Sequence, residues 1–275
     1  MRVAVAQFLA GEDKAHNLAR VGELVGQAAA LGATFVVAPE CSMHGYGSAE
    51  TPLAPVAEPL DGPFVSGLQK CATRHSVTIV AGMFEQVEDD AARAYNTVVA
   101  IGPEGELIGR YRKQHLFDAL GWVESKKLEA GAVDERLVFD CGEFTVGVMT
   151  CYDVRFPELA RALVDDGVDL IALPSAWVAG PLKEDQWTTL VRARAIENVA
   201  YVAAADQPPP GYAGRAMVVD PFGVVLASLP ETEGVVVADV DPERVDRCRE
   251  KMPSLDHRRY RVIPDLSDAR SGLET

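Results

Sequence analysis

Short apolar segments alternate with longer amphipathic segments along most of this chain, and no other feature constrains its fold as strongly. The apolar segments are rich in Val, Ile and Ala, which is typical of strands buried on both faces. Strands that alternate with helices in this way indicate an α/β fold. We predict strands at residues 3–8, 35–39, 78–84, 97–101, 107–111, 144–150, 170–174, 200–205, 216–220, 224–227 and 235–240.

The intervening segments show helical spacing and helix end signals. Leu18, Val21 and Val25 recur on one face of a helix, and Gly32 follows as a stop signal. Residues 103–106 and 221–223 are turn signals between strands, so each predicts a hairpin. We predict helices at residues 15–31, 64–74, 157–166, 186–198 and 242–251.

Composition limits the classes of partner. The chain has 26 Lys and Arg residues against 41 Asp and Glu residues, a net charge of −15. Because binding to phosphates needs clustered cations, this excess argues against nucleic acid as a partner. No apolar run is long enough to cross a bilayer, so we expect no membrane partner. The chain opens directly on an apolar strand signal, which we interpret as the absence of a targeting segment.

The cysteines and histidines indicate neither a disulfide framework nor a metal centre. The five cysteines are odd in number and scattered, so a reducing, cytoplasmic location is expected. The five histidines lack the spacing of metal ligands, and no Gly-rich phosphate loop is present. We therefore expect no metal and no cofactor.

Three apolar segments are followed at once by a reactive side chain. Glu40, Lys113 and Cys151 come directly after segments that end at residues 39, 112 and 150. The functional crevice of an open α/β sheet lies at the carboxyl ends of its strands. A carboxylate, an ammonium and a thiol at such ends could therefore converge in one site.

This set of groups suits nucleophilic catalysis. A thiol with an ordinary pKa of about 8.5 is mostly protonated at neutral pH, so a carboxylate such as Glu40 could take its proton. The Lys113 ammonium and the backbone N–H of Tyr152 could stabilise the oxyanion that forms. A helix that starts after Cys151 would place partial positive charge near the sulfur and favour the thiolate.

The same residue types also have a simpler interpretation. Isolated Glu and Lys are ordinarily solvated, and free cysteines are commonly small buried hydrophobes. We interpret Cys41, Cys71, Cys141 and Cys248 as such buried hydrophobes. Cys151 differs from them because it lies between a strand and a helix, but residue context alone leaves both interpretations open.

The motifs around these residues resemble a known family. The segments 38–40, 111–116 and 150–159 are similar, in this order, to the three signature segments of the nitrilase superfamily of carbon–nitrogen hydrolases. The similarity extends from residue 1 to about residue 260. It implies a four-layer α-β-β-α sandwich, folded as one domain over residues 1–275. It also implies pairing across a helical face into homodimers or larger homo-oligomers. Because the tail from about residue 265 is polar, we expect it to be loosely held.

The resemblance implies a role for each site residue. Glu40 matches the general base, Lys113 the cation that stabilises the oxyanion and Cys151 the nucleophile. The family's second glutamate, which helps to position the substrate, matches Glu124. We also expect Arg155 and Glu158 to form an ion pair that holds the turn of the nucleophile.

Further segments are similar to the branch that contains the deaminated glutathione amidases and omega-amidases. These segments lie at residues 117–125, 176–183, 186–187, 192–195, 220–223 and 253–260. We therefore predict a cysteine-dependent amidase that hydrolyses a small linear amide to a carboxylic acid and ammonia through a thioester. Deaminated glutathione or another 2-oxo acid amide is the leading substrate. The alternatives are a nitrilase that acts on a small nitrile, and a non-catalytic binding partner that retains the fold.

Specificity is expected to lie in loops at residues 41–52, 116–126 and 178–185. Among substrate-binding candidates, Tyr152 follows the nucleophile, and Trp177 is either a core aromatic or a pocket wall. A net charge of −15 repels an anionic substrate at long range, so an acid-bearing amide needs a local cation. Lys183 is either a solvated loop lysine or a lysine that overhangs the pocket and supplies this cation.

Overall fold

A computed structural model describes residues 1–265, which form two β-sheets and five α-helices. The strands are β1 Arg2–Gln7, β2 Phe35–Val37, β3 Thr78–Val87, β4 Asp90–Ile101, β5 Leu107–Arg112, β6 Leu128–Glu129, β7 Val138–Cys141, β8 Phe144–Val148, β9 Leu170–Leu173, β10 Tyr201–Ala204, β11 Met217–Val219, β12 Val225–Ser228 and β13 Gly234–Asp239. The helices are α1 Lys14–Ala30, α2 Pro63–His75, α3 Pro157–Asp165, α4 Lys183–Asn198 and α5 Pro242–Lys251. The tail expected to be loosely held lies beyond these described residues.

The two sheets have related arrangements. The first has the order β13-β1-β2-β3-β4-β5, and β6 pairs with β4 beside β5. The second has the order β12-β11-β10-β9-β8-β7. Each contains three neighbouring parallel strands, β1-β2-β3 in the first and β8-β9-β10 in the second. The two predicted hairpin turns join β4 to β5 and β11 to β12.

The sheets pack face to face between two layers of helices. Side chains alternate between the faces of a strand, so Val5 of β1 faces the second sheet while Ala4 and Ala6 face α1 and α2. Leu163 of α3 and Val191 of α4 pack in the same core as the facing sides of the two sheets. The predicted α-β-β-α layering is therefore confirmed.

The local differences from the predicted elements have identifiable causes. Strand β4 begins at Asp90 rather than residue 97, because its polar first half pairs with β3. Strands β6 and β7 were not predicted, since one has two residues and the other has only one buried residue in four. Helix α4 begins at Lys183 rather than residue 186. The helices of the described residues include none that is long and apolar enough to cross a membrane.

Strand direction brings two of the predicted site residues to the same edge of the first sheet. Strand β2 is parallel to β3, β3 is antiparallel to β4, and β4 is antiparallel to β5, so β2 and β5 run the same way. Their carboxyl ends therefore lie on one side. The turn after β2 also lies tightly against β3, where a Cβ added to Gly82 would approach the Cys41 nitrogen to 2.6 Å. A side chain at this position would displace the turn that carries Glu40.

Candidate active site

The site is built around a buried ammonium that lies between two carboxylates. Lys113 Nζ donates to Glu40 Oε1 at 3.0 Å and lies 3.1 Å from Glu124 Oε2, and Lys113 is only 1% exposed. Burial alone lowers the pKa of an ammonium, but the charges of Glu124 and Glu40 outweigh it and raise the pKa of Lys113 well above its ordinary value. Lys113 therefore stays charged at neutral pH.

Three donors hold the Glu40 carboxylate in place. Asn96 Nδ2 donates to Oε1 at 2.7 Å, in addition to Lys113, and the backbone N–H of Ala176 donates to Oε2 at 2.9 Å. Gln207 Nε2 also donates to the main-chain oxygen of Glu40, at 2.9 Å. Because the first sheet carries Glu40 and the turn after β9 carries Ala176, this carboxylate bridges the two sheets.

The turn after β8 places Cys151 beside this carboxylate. Cys151 has φ +47°, and its backbone N–H donates to the Pro174 oxygen at 3.0 Å. Burial, and then the charge of Glu40, raise the pKa of the Cys151 thiol well above its ordinary value, while Lys113 acts in the opposite direction. The expectation of a favoured thiolate is therefore wrong, because burial and a carboxylate outweigh the start of the short 3₁₀-helix Cys151–Arg155. The resting sulfur carries its proton and needs a base.

A third buried carboxylate, Asp153, ties the turn that carries Cys151 to the end of β5. Its Oδ2 accepts from the Tyr111 hydroxyl at 2.7 Å and from the Thr150 backbone N–H at 2.9 Å. Its Oδ1 accepts from the His115 backbone N–H at 3.2 Å and lies 2.7 Å from His115 Nδ1. Since Tyr111 and His115 flank Lys113 in the chain, this one carboxylate fixes the thiol and the ammonium relative to each other.

Glu40, Glu124 and Cys151 line a cavity of about 240 Å³. This volume is below the usual range of about 300–1,000 Å³ for sites that bind drug-sized ligands, so the cavity suits a small molecule. Each of the three predicted specificity loops contributes to its wall, and a fourth loop at residues 210–212 was not predicted. The wall is formed by Glu40, Tyr46, Gly47, Phe117, Trp122, Glu124, Cys151, Ala176, Val178, Pro210, Gly211 and Tyr212.

The remaining predicted residues lie around this wall. The Tyr152 ring packs edge-on against Phe117, with ring centroids 5.0 Å apart. Trp177 is only 2% exposed, and its neighbours Ala176 and Val178 line the cavity in its place. Lys183 is not a loop residue, because it starts α4, and it is buried rather than solvated.

The expected ion pair between Arg155 and Glu158 is not found among the described residues. The Arg155 guanidinium instead donates to Gln186 Oε1 at 2.6 Å, and it contacts the Trp177 ring, with Cζ 4.9 Å from the ring centroid. The Arg155 side chain therefore extends toward α4 and does not pair with Glu158.

Sequence reasoning missed several residues of the site. Asn96 is fully buried beside Glu40, and the only signal for it was a polar pair, Asn96 and Thr97, next to an apolar strand. Tyr46 lines the cavity, and its hydroxyl is buried without a hydrogen-bond partner among residues 1–265. Asp153 was within a signature segment, but nothing in the sequence showed its contact with Tyr111.

The role of Asp153 generates a prediction about stability. Asp153→Asn replaces an acceptor oxygen by an NH₂ group that faces donors, so we expect the free energy of unfolding to fall by about 2–3 kcal/mol. Tyr111→Phe removes one of these hydrogen bonds and should cost about 1 kcal/mol. Urea unfolding followed by circular dichroism measures both. A loss from Asp153→Asn no larger than that from Tyr111→Phe would contradict this role.

Comparison with known proteins identifies the family. A family model described as carbon-nitrogen hydrolase matches residues 2–250. The chain is 38% identical to a hydrolase of Mycobacterium tuberculosis, over 98% of this chain and 100% of the relative. It is 35% identical to the deaminated glutathione amidase of Escherichia coli O157:H7, over 94% of this chain and 98% of the relative.

Solved structures agree with this assignment. The crystal structure of the C. elegans NitFhit protein matches with a TM-score of 0.84 at 33% identity, and the match covers 94% of this chain and 65% of that longer chain. The resemblance predicted from the three motifs is confirmed. The chain belongs to the carbon–nitrogen hydrolase family of the nitrilase superfamily, and it is a hydrolase of carbon–nitrogen bonds other than peptide bonds.

Proposed function

We propose that this enzyme is an amidase in which Cys151 attacks a small linear amide with Glu40, Lys113 and Glu124 as its catalytic partners. The observation that carries this proposal is the convergence of the four side chains at one cavity of about 240 Å³, where Glu40, Glu124 and Cys151 line the wall and Lys113 contacts both carboxylates. A binding module has no need of a thiol, a base and a buried cation at the same point.

The acylation step follows from this geometry. Glu40 accepts the proton of the Cys151 thiol as the sulfur attacks the amide carbon, because the raised pKa keeps the resting thiol protonated. The carbonyl oxygen becomes negatively charged and is stabilised by the Lys113 ammonium and by the Tyr152 backbone N–H. This N–H lies in the first turn of a 3₁₀-helix, where backbone donors lack intrahelical acceptors.

Collapse of this intermediate breaks the carbon–nitrogen bond. The proton held by Glu40 passes to the departing nitrogen, which leaves as ammonia, and a thioester on Cys151 remains. Glu40 then takes a proton from a water molecule that attacks the thioester, and it returns this proton to the Cys151 sulfur as the carbon–sulfur bond breaks, which releases the carboxylic acid and regenerates the thiol. Glu124, which accepts from the Phe117 backbone N–H at 2.7 Å, positions the substrate amide beside Lys113.

For the substrate, we propose an amide of a 2-oxo acid, with deaminated glutathione as the leading compound. Relatives named deaminated glutathione amidase and omega-amidase, at 35–37% identity over 93–94% of this chain, support this class. The cavity volume and the aromatic residues Tyr46, Phe117 and Trp122 suit a short acyl chain.

We also propose the domain organisation and the cellular location of the enzyme. The two sheets share one core, which supports a single carbon–nitrogen hydrolase domain over residues 1–275. All five cysteines are free thiols, which supports a cytoplasmic location.

We propose a homodimer, because three exposed apolar residues lie together on the helical face. They are Ile196 of α4 and Phe222 and Val224 of the adjoining hairpin.

The nucleophile is tested by Cys151→Ala. Wild-type enzyme should release ammonia from small amides, and the variant should lose about a thousandfold or more of this activity because no thioester can form. A screen of amides and nitriles with ammonia detection measures it, and Cys71→Ala on α2 serves as the matched control with full activity. Substantial turnover by folded Cys151→Ala would refute the assignment. If the enzyme releases acid from nitriles but not from amides, it is a nitrilase and not an amidase.

The base is tested by Glu40→Gln, which keeps the shape of the side chain. We expect activity to fall by about 10²–10⁴, and alkylation of Cys151 by iodoacetamide to slow, since the proton acceptor is gone. Glu58→Gln is the control, because Glu58 is also a buried carboxylate but pairs with Lys14 away from the cavity. Unchanged alkylation and turnover in Glu40→Gln would exclude Glu40 as the base.

The homodimer is tested by Ile196→Lys, which places a charge in the apolar group on α4. Light scattering over a range of concentrations should show a dimer for the wild type and a larger monomer fraction for the variant. Leu31→Lys, at an exposed position just after α1, should leave the dimer intact. A monomeric wild type would contradict the homodimer, and a fully dimeric Ile196→Lys would contradict this interface.

A further inference from the structure

Lys127 joins two loops that line the cavity, and the proposed mechanism does not use it. Residues 41–52 and 116–126 each contribute to the cavity wall. Lys127 lies directly after the second loop, and its side chain reaches the first, where Nζ donates to the main-chain oxygens of Ser48 at 3.0 Å and Thr51 at 3.3 Å. The side chain is therefore a bridge between two parts of the cavity wall.

The same ammonium contacts two aromatic rings of the wall. Lys127 Nζ lies 4.0 Å from the centroid of the Tyr46 ring and 5.8 Å from that of the Trp122 ring. The two rings pack edge-on against each other, with centroids 5.5 Å apart, and both line the cavity. Because a cation is attracted to the face of an aromatic ring, Lys127 holds one ring from each loop.

The two ends of this bridge differ in how firmly they are fixed. The main chain of Lys127 is tied to the first sheet, because its oxygen accepts from the Ala94 N–H of β4 at 3.1 Å and β6 begins at the next residue. At the other end, the Ser48 N–H donates to Thr51 Oγ1 at 2.9 Å and the Thr51 N–H donates to the Ser48 oxygen at 3.2 Å. Within residues 1–265, the bonds from Lys127 are the hydrogen bonds that tie residues 48–51 to the rest of the chain.

The Tyr46 hydroxyl does not anchor its own ring. It is buried and has no hydrogen-bond partner among the described residues. The position of the ring depends instead on edge-on packing against Trp122 and Phe84, the latter with centroids 5.9 Å apart, and on the contact with Lys127. Loss of Lys127 would therefore release Tyr46 more than it would release a ring with a bonded hydroxyl.

An ammonium at this position carries a desolvation cost. Lys127 is only 7% exposed, and no carboxylate forms an ion pair with it in the described part of the chain. Burial lowers the pKa of Lys127, while the charges of Glu124, Cys41 and Glu50 act in the opposite direction. An apolar side chain of similar length would fill the space without this cost, so the contacts with two carbonyls and two rings must offset it.

We propose that Lys127 is a positioning residue that restricts the enzyme to short amides, because it holds Tyr46 and Trp122 in the cavity wall. This inference rests on the proposed amidase function and names the residue that limits substrate length. With both rings in place, the cavity has a volume of about 240 Å³, which suits a short chain. Without the bridge, residues 48–51 lose their hydrogen bonds to the rest of the chain, so this loop can move outward and a longer chain can enter.

The experiment compares propanamide and hexanamide, two unbranched amides that differ only in chain length. The ratio of kcat/KM for hexanamide to kcat/KM for propanamide should rise about tenfold in Lys127→Met, equivalent to about 1.4 kcal/mol. For propanamide, KM should rise more than kcat falls, because the wall contacts the substrate in both ground and transition states. Lys127→Arg keeps the charge and the donors, so it should retain the wild-type ratio.

Lys70→Met provides the matched control, since it makes the same change in net charge at an exposed position on α2. It should leave both rates unchanged. A merely structural role for Lys127 would lower the rates for both amides by the same factor, and an unchanged ratio in Lys127→Met would overturn the inference while leaving the amidase intact. A wild type that cleaves hexanamide as well as propanamide, or an equal rise of the ratio in Lys70→Met, would also overturn it.

Alkylation of Cys151 separates this inference from the proposed function. Iodoacetamide and N-hexyl iodoacetamide have the same reactive carbon, from which the sulfur displaces iodide, and mass spectrometry of the Cys151 peptide gives both rates. The ratio of the long reagent's rate to that of the short one should rise about tenfold in Lys127→Met. If wild type cleaves neither amide but this ratio still rises, the amidase proposal fails and the role of Lys127 in the wall stands.

A second variant covers the case in which Lys127→Met does not fold. Lys127→Gln keeps a neutral donor but loses the cation that contacts Tyr46 and Trp122, so its ratio of alkylation rates should also rise. A wild-type ratio in folded Lys127→Gln would then overturn the inference.

Discussion

The chemistry proposed for this protein depends on one buried ammonium, that of Lys113, held between the carboxylates of Glu40 and Glu124. A charge in a protein interior is tolerated only when paired and hydrogen-bonded, because it has lost its water. Removal of the ammonium would leave two buried carboxylates without a cation, so the three side chains form one unit. That unit requires the ends of β2 and β5 to lie on the same side of the first sheet, which their shared direction provides.

Polar contacts between the two sheets then set where the thiol lies. Most of the interface between the sheets is apolar, and apolar packing alone is not directional. Hydrogen bonds are directional, and several of them cross near the site, among them Ala176 N–H to Glu40 at 2.9 Å and Tyr111 O–H to Asp153 at 2.7 Å. Each joins an element of the first sheet to a turn of the second. Cys151 therefore approaches Glu40 in one orientation, and the same contacts that align the sheets also assemble the proposed catalytic residues.

Much of the fold could be predicted from the sequence because it is encoded in local patterns. Every predicted strand and helix is present, since apolar runs and helical spacing reflect the side on which each element is buried. Strand β6 was not predicted, because two residues form no recognisable pattern. The predicted β4 was too short, because the first half of this strand is polar and is stabilised by pairing with β3. The start of α4 was missed because Gly180 and Pro181 have the composition of a loop.

The candidate active site could be predicted from the sequence only in part. Glu40, Lys113 and Cys151 follow strands, and this context pointed to them, whereas Glu124 lies in a short 3₁₀-helix and was found only through the resemblance. Asn96 and Asp153 act through partners 56 and 42 residues away in the chain, and no local signal encodes such contacts. The raised pKa of the Cys151 thiol was likewise hidden, since it comes from burial and from the neighbouring Glu40.

Backbone strain at the site shows why this arrangement is rigid. Cys151 has φ +47° and Cys41, directly after Glu40, has φ +59°, values that residues with a side chain rarely adopt. Each costs on the order of 1–3 kcal/mol and persists only where the surroundings over-determine it. The Cys151 turn is held by Pro174 and Asp153, and the Cys41 turn lies against Gly82. Folding therefore supplies the free energy that orients the Cys151 thiol and its proposed base, and little of the substrate's binding energy is needed to align them.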